Sequence, residues 1–244
     1  MKNNLLLLII AIVAFSCKKE LAPVTVPVQF NETTYVNLGK TDTTGKPLYL
    51  ETPDVISNDL LDFLHSYLPE HQNVSNTHPE LLSSSAIGEL KITQTSTVHL
   101  TFVSQGAGFA DAIAFYTYPT NNPPATAADI KTITYVFPNA GYNSPLNPGD
   151  KVNIGTFASG TSVGFVLMKN AFNLITHTLN NNATHFCSND VLNPEVDPKL
   201  KKHAVLINYT PENKTLIGFE DLDRTDPNCD DDFNDVVIYA TITN

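Results

Sequence analysis

An acidic loop between two apolar runs best indicates how this chain folds, and the segment reads Thr215-Leu-Ile-Gly-Phe-Glu-Asp-Leu-Asp-Arg-Thr-Asp-Pro-Asn-Cys-Asp-Asp-Asp-Phe-Asn-Asp-Val-Val-Ile-Tyr239. The runs on either side, residues 215–219 and 236–242, are rich in β-branched and aromatic side chains and have the length of strands. They predict a β-hairpin. Its loop holds eight of the 25 acidic residues of the chain, with Arg224 as the one basic residue among them.

Eight short strands are predicted from residue 90 onwards, and turn signals such as Asn147-Pro-Gly-Asp150 separate them. The predicted strands are residues 98–103, 112–118, 132–137, 151–157, 163–168, 203–209, 215–219 and 236–242. The sequence shows no βαβ alternation, so a Rossmann-like nucleotide site is not expected. The pattern predicts a mainly β fold, an antiparallel β-sandwich of the jelly-roll type.

The first 89 residues have a different pattern. Apolar residues recur at helical spacing between positions 54 and 68, with Ser57 or Asp54 as the N-cap and Pro69 after the last turn, and a second helical turn is expected at 78–82. We therefore divide the chain into a lipoprotein signal peptide (1–16), an extended tether (17–34), an N-terminal helical lead (35–89) and a β-sandwich domain (90–244).

The N-terminus has the pattern of a bacterial lipoprotein signal. Lys2 precedes an apolar run at residues 5–15, which is too short to span a bilayer, and the run ends in Val-Ala-Phe-Ser-Cys17. This ending resembles a lipobox, whose cysteine is lipidated and becomes the first residue of the mature protein. We expect an exported protein anchored in the outer membrane through Cys17, facing either the periplasm or the exterior. An ordinary cleaved signal with a chance cysteine is the alternative.

The net charge and the cysteine content bear on the possible partners and on a possible disulfide. The formal net charge is −11, and removing Lys2 with the signal peptide makes it −12. This acidity argues against a nucleic-acid partner, because phosphate binding needs clustered Lys and Arg. Cys187 and Cys229 then remain, and an even pair in an exported protein suggests a disulfide, with two free buried thiols as the alternative.

The acidic loop predicts a cation site. Two carboxylates about 6 Å apart repel by roughly 2–3 kcal/mol at an effective dielectric constant of about 20, so crowding them is costly without a positive partner. Calcium suits them because it takes about six to eight oxygen ligands in irregular geometry, whereas magnesium takes fewer. The loop lacks the Gly and the closing Glu of an EF-hand, and it has one Cys and no His for zinc. A solvated acidic turn is the alternative.

Gly160-Thr-Ser-Val-Gly164 matches the nucleophile elbow of hydrolases. The elbow requires a strand before the serine and a helix after it. Here the sequence after Ser162 continues into an apolar strand, and the residues before it have the composition of a turn. The segment therefore predicts a hairpin, and a secreted hydrolase is the last of the alternatives.

An ordered series of segments runs along the chain. They read Ala107-Gly-Phe-Ala-Asp-Ala-Ile-Ala-Phe-Tyr-Thr-Tyr-Pro119, Val136-Phe-Pro-Asn139, Leu146-Asn-Pro-Gly-Asp-Lys-Val-Asn-Ile-Gly-Thr-Phe157, Gly164-Phe-Val-Leu167, Leu192-Asn-Pro-Glu195, Gly218-Phe-Glu-Asp221 and Asp232-Phe-Asn-Asp235. Together they resemble the LruC-domain family of bacterial lipoproteins, and their C-terminal half is similar to the domain of unknown function 4114. Upstream pairs such as Tyr49-Leu50 extend the likeness over most of residues 35–244.

The resemblance implies an exported or surface-associated protein without enzymatic activity and with a cation-binding corner. That corner carries over onto Glu220, Asp221, Asp230, Asp232, Asn234 and Asp235. The chain departs from the pattern at two positions. Asp111 stands where Asn is usual and keeps an oxygen that can join the site, and Ala171 replaces a Gly after Asn170.

These observations predict a non-enzymatic, calcium-binding β-sandwich lipoprotein of the bacterial cell envelope, structural or adhesive in role. Its expected partners are the membrane, through the lipid anchor, and a protein or glycan at the cell surface. The predicted Ca²⁺ ligands are Glu220, Asp221, Asp232, Asn234 and Asp235, followed by Asp223, Asp230 and Asp111. The alternative from another class is a glycan-binding or adhesion module whose acidic loop contacts the ligand directly.

Overall fold

The alternating apolar residues form the strands of two facing sheets in the computed structural model, which describes residues 28–244. The chain is thus a mainly β protein of the sandwich type, and this predicted fold class is confirmed. The predicted signal peptide, Cys17 and the tether as far as residue 27 lie outside the described residues. Within residues 28–244, the helices are too short and too polar to cross a membrane.

Thirteen strands make up the described sheets. They are β1 (Thr34–Asn37), β2 (Leu90–Ile92), β3 (Ser96–Gln105), β4 (Ala112–Pro119), β5 (Thr132–Phe137), β6 (Lys151–Phe157), β7 (Thr161–Met168), β8 (Phe172–Asn173), β9 (Thr178–Leu179), β10 (His185–Cys187), β11 (Ala204–Tyr209), β12 (Lys214–Phe219) and β13 (Val236–Thr243).

The first sheet has the order β1-β5-β4-β7-β10. The strand β2 also pairs with β7, at residues 161–163, whereas β10 pairs with residues 166–168 of that strand. The second sheet has the order β11-β12-β13-β3-β6. Neighbouring strands are antiparallel, except that β1 runs parallel to β5. The strands β8 and β9 form a separate two-stranded hairpin.

The second sheet is buried on both faces because successive side chains of a strand point to opposite sides. In β13, Val236 and Ile238 belong to the core between the two sheets, whereas Val237 and Tyr239 belong to a second apolar layer on the outer face. This explains why the strand reads as a continuous apolar run rather than as a strict alternation.

Two helices cover that outer face, α1 (Asn58–Tyr67) and α2 (Val74–Thr77). Ser57 caps α1 by accepting a hydrogen bond from the N–H of Leu60 at 3.1 Å, as one of the two predicted caps. Leu60, Leu64 and Leu68 are at most 3% exposed, and each contributes about 1.5–3 kcal/mol by its burial. Short 3₁₀ helices lie at Pro79–Leu82, Ala127–Asp129, Asp190–Leu192, Pro198–Leu200 and Thr210–Glu212.

All eight predicted strands are present, with ends within two residues of the expected ones, and a helix lies in the expected segment. Five further strands, β1, β2, β8, β9 and β10, were not predicted. Each has between two and four residues, which is too short to show a period.

The predicted disulfide is not formed, and Cys187 and Cys229 are both free thiols. Cys187 is fully buried on β10, in the apolar layer that covers the outer face of the first sheet. Cys229 lies instead in the acidic loop, where its Sγ donates to the Asp231 carboxylate at 3.4 Å. The even count of cysteines suggested a pair, but the two side chains pack in different surroundings.

Candidate metal centre

The acidic loop is closed at its base, because the last residue of β12 pairs with the first residue of β13. Glu220 and Asp235 therefore leave the sheet side by side. The N–H of Asp221 donates to Asp235 Oδ2 at 2.7 Å, and the N–H groups of Gly106 and Ala107 donate to the Asp235 carbonyl at 2.9 and 3.1 Å. The end of β3 thus holds the base of the loop as well.

Two left-handed residues shape the second half of the loop. Asp231 and Phe233 each have φ 57, a conformation that costs a residue other than glycine about 1–3 kcal/mol. Phe233 is fully buried in the layer beneath α1, and its carbonyl comes so close to Gly218 that a Cβ there would lie 2.4 Å away. The buried ring anchors the loop, and the neighbouring Asp232 is 2% exposed.

Three predicted ligands come together at the base of the loop, where one oxygen each of Glu220, Asp221 and Asp235 lies within 4.8 Å of the other two. Glu220 and Asp221 are buried. Within residues 28–244, Glu220 Oε2 and Asp221 Oδ2 have no hydrogen-bond partner. A buried polar atom left in this state costs about 1–3 kcal/mol, and more when it carries charge, so either a proton or a cation stabilises these oxygens.

Asp111 extends this group from the start of β4. It is fully buried, and its Oδ1 accepts a hydrogen bond from the N–H of Asn170 at 2.7 Å, while Oδ2 finds no donor in the described part of the chain. Burial and the neighbouring Asp221 carboxylate raise the pKa of Asp111 to about 9, although the charge of Lys169 works in the opposite direction.

Glu220 also belongs to a second group. One of its oxygens lies within 4.8 Å of an oxygen from Asp230 and one from Asp232, which are mutually as close. Asp232 accepts hydrogen bonds from the N–H groups of His71 at 2.8 Å and Asn234 at 3.1 Å. The side chain of Asp230 is 38% exposed, so this group reaches the surface.

Burial is the main cause of the shifted pKa values around the loop. It raises the pKa of Asp235 to about 9, with a further contribution from the charges of Asp221 and Glu220, and it raises the pKa of Glu220 to about 7. The pKa values of Asp221 and Asp232 are raised for the same reason. Without a cation, these carboxylates are therefore driven towards protonation.

Two of the predicted ligands make other contacts. Asp223 Oδ1 accepts hydrogen bonds from the N–H and the hydroxyl of Thr225, which places it in a turn of its own. Asn234 donates through Nδ2 to the Leu68 carbonyl at 3.4 Å, at the end of α1.

Arg224 pairs with Asp231 through its Nε. Burial acts to raise the pKa of Asp231, but the hydrogen bond and the charge of Arg224 outweigh it and lower the pKa. The basic residue of the loop is thus matched to one carboxylate outside the two groups described above.

Sequence reasoning missed Glu70 and His71, which lie beside the loop. A ligand atom from each lies within 4.8 Å of the Asp232 carboxylate, and His71 Nδ1 is 2.9 Å from Asp230 Oδ2. These residues directly follow α1 and Pro69. No local pattern could have indicated them, because they meet the loop from about 160 positions away in the chain.

A buried His–Glu pair contacts the backbone at the start of the acidic loop. His203 Nε2 lies 2.6 Å from Glu195 Oε1, and its Nδ1 lies 3.2 Å from the Glu220 carbonyl oxygen. Both side chains are fully buried, and the imidazole stacks on Phe186 with 3.9 Å between ring centroids. His203 thus positions the backbone at Glu220.

Ser162, the central residue of the Gly-x-Ser-x-Gly match, lies within β7. Its side chain is fully buried and shares a hydrogen bond of 2.9 Å with the Thr120 hydroxyl. Residues 161–168 form a strand, whereas a nucleophile elbow needs a helix after the serine.

Comparison with known families supports part of the resemblance. The family model described as Domain of unknown function (DUF4114) matches residues 157–243, which include the acidic loop and the strands from β7 to β13. A search of curated proteins gave no match, and a search of solved structures gave none either. The family match supports the resemblance of the C-terminal part.

Proposed function

We propose that this protein is a non-enzymatic, calcium-binding β-sandwich lipoprotein of the bacterial cell envelope, with a structural or adhesive role. One observation carries the calcium proposal. Three buried carboxylates, Asp111, Glu220 and Asp221, each have an oxygen that no donor among residues 28–244 satisfies. A hard divalent cation that takes many oxygen ligands can satisfy all of these oxygens at once.

The oxygen-rich composition favours calcium over other metals. The group at the base of the loop, Glu220, Asp221 and Asp235, consists entirely of carboxylates. The one sulfur ligand nearby, Cys229, has a pKa that burial raises further above its ordinary value, which disfavours the thiolate that zinc requires.

The anchor and the wider family remain parts of this proposal. The lipobox-like ending at Cys17 supports lipid attachment at the outer membrane, and the segments upstream of residue 157 support membership of the LruC-domain family. Labelling cells with a radioactive fatty acid tests the anchor. We expect label in the wild-type protein and none in Cys17→Ala, and label in both would contradict lipidation at Cys17.

Metal analysis of the purified full-length protein tests the calcium proposal. After equilibration with calcium and magnesium, we expect bound calcium in the wild type and in Asp62→Asn, a control that removes an exposed carboxylate on α1. Asp232→Ala should retain less calcium because it removes a carboxylate that lies at the loop. The proposal fails if the wild type binds no calcium, or if it prefers magnesium.

A glycan-binding module is the second candidate, and an exposed aromatic residue near Asp111 favours it. Tyr142 is 52% exposed, and its N–H donates to the Phe109 carbonyl at 2.7 Å, close to the buried Asp111. An exposed ring of this kind can stack against a sugar. Under this alternative, Tyr142→Ala abolishes binding to a glycan array while calcium content stays unchanged. Arrays that bind neither protein exclude it.

A further inference from the structure

Glu220 belongs to two carboxylate groups that share no other residue. The base group contains Asp221 and Asp235, and the rim group contains Asp230 and Asp232. Ligand oxygens of one calcium ion lie at most about 5 Å apart, which is twice a Ca–O distance of about 2.4 Å. In each group, one oxygen from every residue lies within 4.8 Å of the others, so the three oxygens of a group fit within one coordination shell.

The charge of the two groups exceeds what one ion can neutralise. With Asp111, which interacts with Asp221, the groups hold six carboxylates and therefore six negative charges when ionised. A single Ca²⁺ leaves four of these charges, several of them buried, whereas two ions leave two. Asp231, the partner of Arg224, also has an oxygen within 4.8 Å of Glu220, and the charge of Lys169 acts on Asp111 and Asp221. When Asp231 is counted as a seventh carboxylate together with the cations Arg224 and Lys169, five net negative charges remain, of which one Ca²⁺ leaves three and two ions leave one.

We propose that the loop holds two divalent cations, one at the base group and one at the rim group, with Glu220 as the bridging carboxylate. This inference rests on the calcium-binding function proposed above. The unpartnered and buried Glu220 Oε2, considered within the described residues, supplies the free oxygen that a bridge requires.

The two positions differ in their access to solvent. The base position lies beside three buried carboxylates, Asp111, Glu220 and Asp221, with the half-buried Asp235, and forms the structural site. The rim position contains Asp230, and Glu70 lies at its edge with 60% of its side chain exposed. A cation at the rim exchanges with solvent more easily and binds more weakly, because fewer of its ligands are preorganised by burial.

Counting bound ions on the full-length protein tests the proposal. Native mass spectrometry and calorimetric titration with CaCl₂ should show two ions per chain, with a tighter and a weaker step. Asp230→Asn lies at the exposed rim, where a substitution does not disturb the core. We expect it to weaken the second step at least about tenfold and to leave the first step within about twofold. Asp62→Asn is the matched control and should keep both steps.

The outcomes separate this inference from the function on which it rests. Glu220→Gln, checked for folding by circular dichroism, should weaken both steps if it bridges the two ions. One ion per chain in the wild type, unaffected by Asp230→Asn, overturns the two-ion inference while calcium binding stands. Binding of no ion overturns the proposed function itself.

Discussion

The carboxylate of Asp54 and the carboxylates at the base of the acidic loop are stabilised in different ways within the same sandwich. Asp54 accepts hydrogen bonds from Lys151 Nζ at 2.6 Å, from the Tyr239 hydroxyl at 2.8 Å and from the Thr101 hydroxyl at 2.9 Å. Burial acts to raise its pKa, but these three donors outweigh burial and lower the pKa. At Asp111, by contrast, burial and a neighbouring carboxylate raise the pKa to about 9.

The difference shows where the chain supplies its own counter-charges and where, under the proposed function, it relies on a bound ion. Lys151 and the two hydroxyls are fixed on strands of the second sheet, so Asp54 is satisfied when the sheet forms. The carboxylates of the base group lie within 4.8 Å of one another, and Lys169 is a nearby positive charge that acts on Asp221. The contribution of Asp54 to the free energy of unfolding should therefore be independent of calcium, whereas the contribution of the acidic loop should depend on calcium.

Calcium removal should give the largest effect. A ligand present at about 100 times its dissociation constant stabilises the native state by about 2.7 kcal/mol per ion. For a chain of this length, each kcal/mol corresponds to about 2–4 °C, so EDTA should lower the melting temperature by at least about 5 °C. Differential scanning calorimetry at matched ionic strength measures the shift. Unchanged melting in EDTA would mean that the loop is satisfied without an ion.

The calcium-free protein should lose stability as the pH rises. The folded-state pKa values of Asp111 and Asp235, about 9, lie above the unfolded value of about 4. The protons on these groups therefore stabilise the fold at low pH, and this stability is lost progressively up to about pH 9. The slope is up to about 1.4 kcal/mol per pH unit for each group.

Urea unfolding in EDTA at about pH 5.5 and about pH 7.5 measures this slope. Excess calcium should remove or reverse the trend, because the ion binds the deprotonated carboxylates. A calcium-free protein that becomes more stable with rising pH would show that the base-group carboxylates are already stabilised as anions.

Asp54→Asn should have a smaller effect that does not depend on calcium. The substitution removes a charge that accepts three hydrogen bonds, and charge-assisted bonds contribute about 1.5–3 kcal/mol. Because the side chain is 25% exposed, we expect a loss of about 1–2 kcal/mol. Chemical unfolding in calcium and in EDTA should give the same loss. A loss that appears in one buffer alone would couple Asp54 to the ion.

A reducing agent should have the smallest effect. Cys187 and Cys229 are free thiols, so no covalent bond restrains the acidic loop through them. Dithiothreitol should change the melting temperature by less than about 1 °C, because no loop-closing bond is lost. A large decrease would reveal a disulfide that clamps the loop in place of a cation.

The sequence predicts local features of this fold well. Residues 236–242 have the β-branched composition of a strand, and Ser57 has a capping side chain directly before a helical pattern, so both follow from local preferences. The clustering of Glu220, Asp221 and Asp235 was also predictable, because a hairpin brings the two ends of its loop together.

Long-range contacts were not predictable in the same way. Glu70 meets the loop because α1 packs across the second sheet, and this packing leaves no trace in the residues around position 70. The pairing of Cys187 with Cys229 was inferred from number and compartment alone, whereas the burial of Cys187 depends on the neighbours of β10 in the folded sheet. The match of Asp54 with Lys151 likewise joins residues 97 positions apart.

The position of β13 has a consequence for the order in which the protein folds. This strand spans Val236–Thr243 and lies between β12 and β3, so the second sheet has an open gap until β13 inserts. Asp232 and Asp235 lie shortly before β13 in the chain. The N–H of His71, which donates to the Asp232 carboxylate, lies 161 positions upstream. The acidic loop therefore takes its final position only when β13 has inserted between β12 and β3, so truncation within β13 should displace the loop carboxylates.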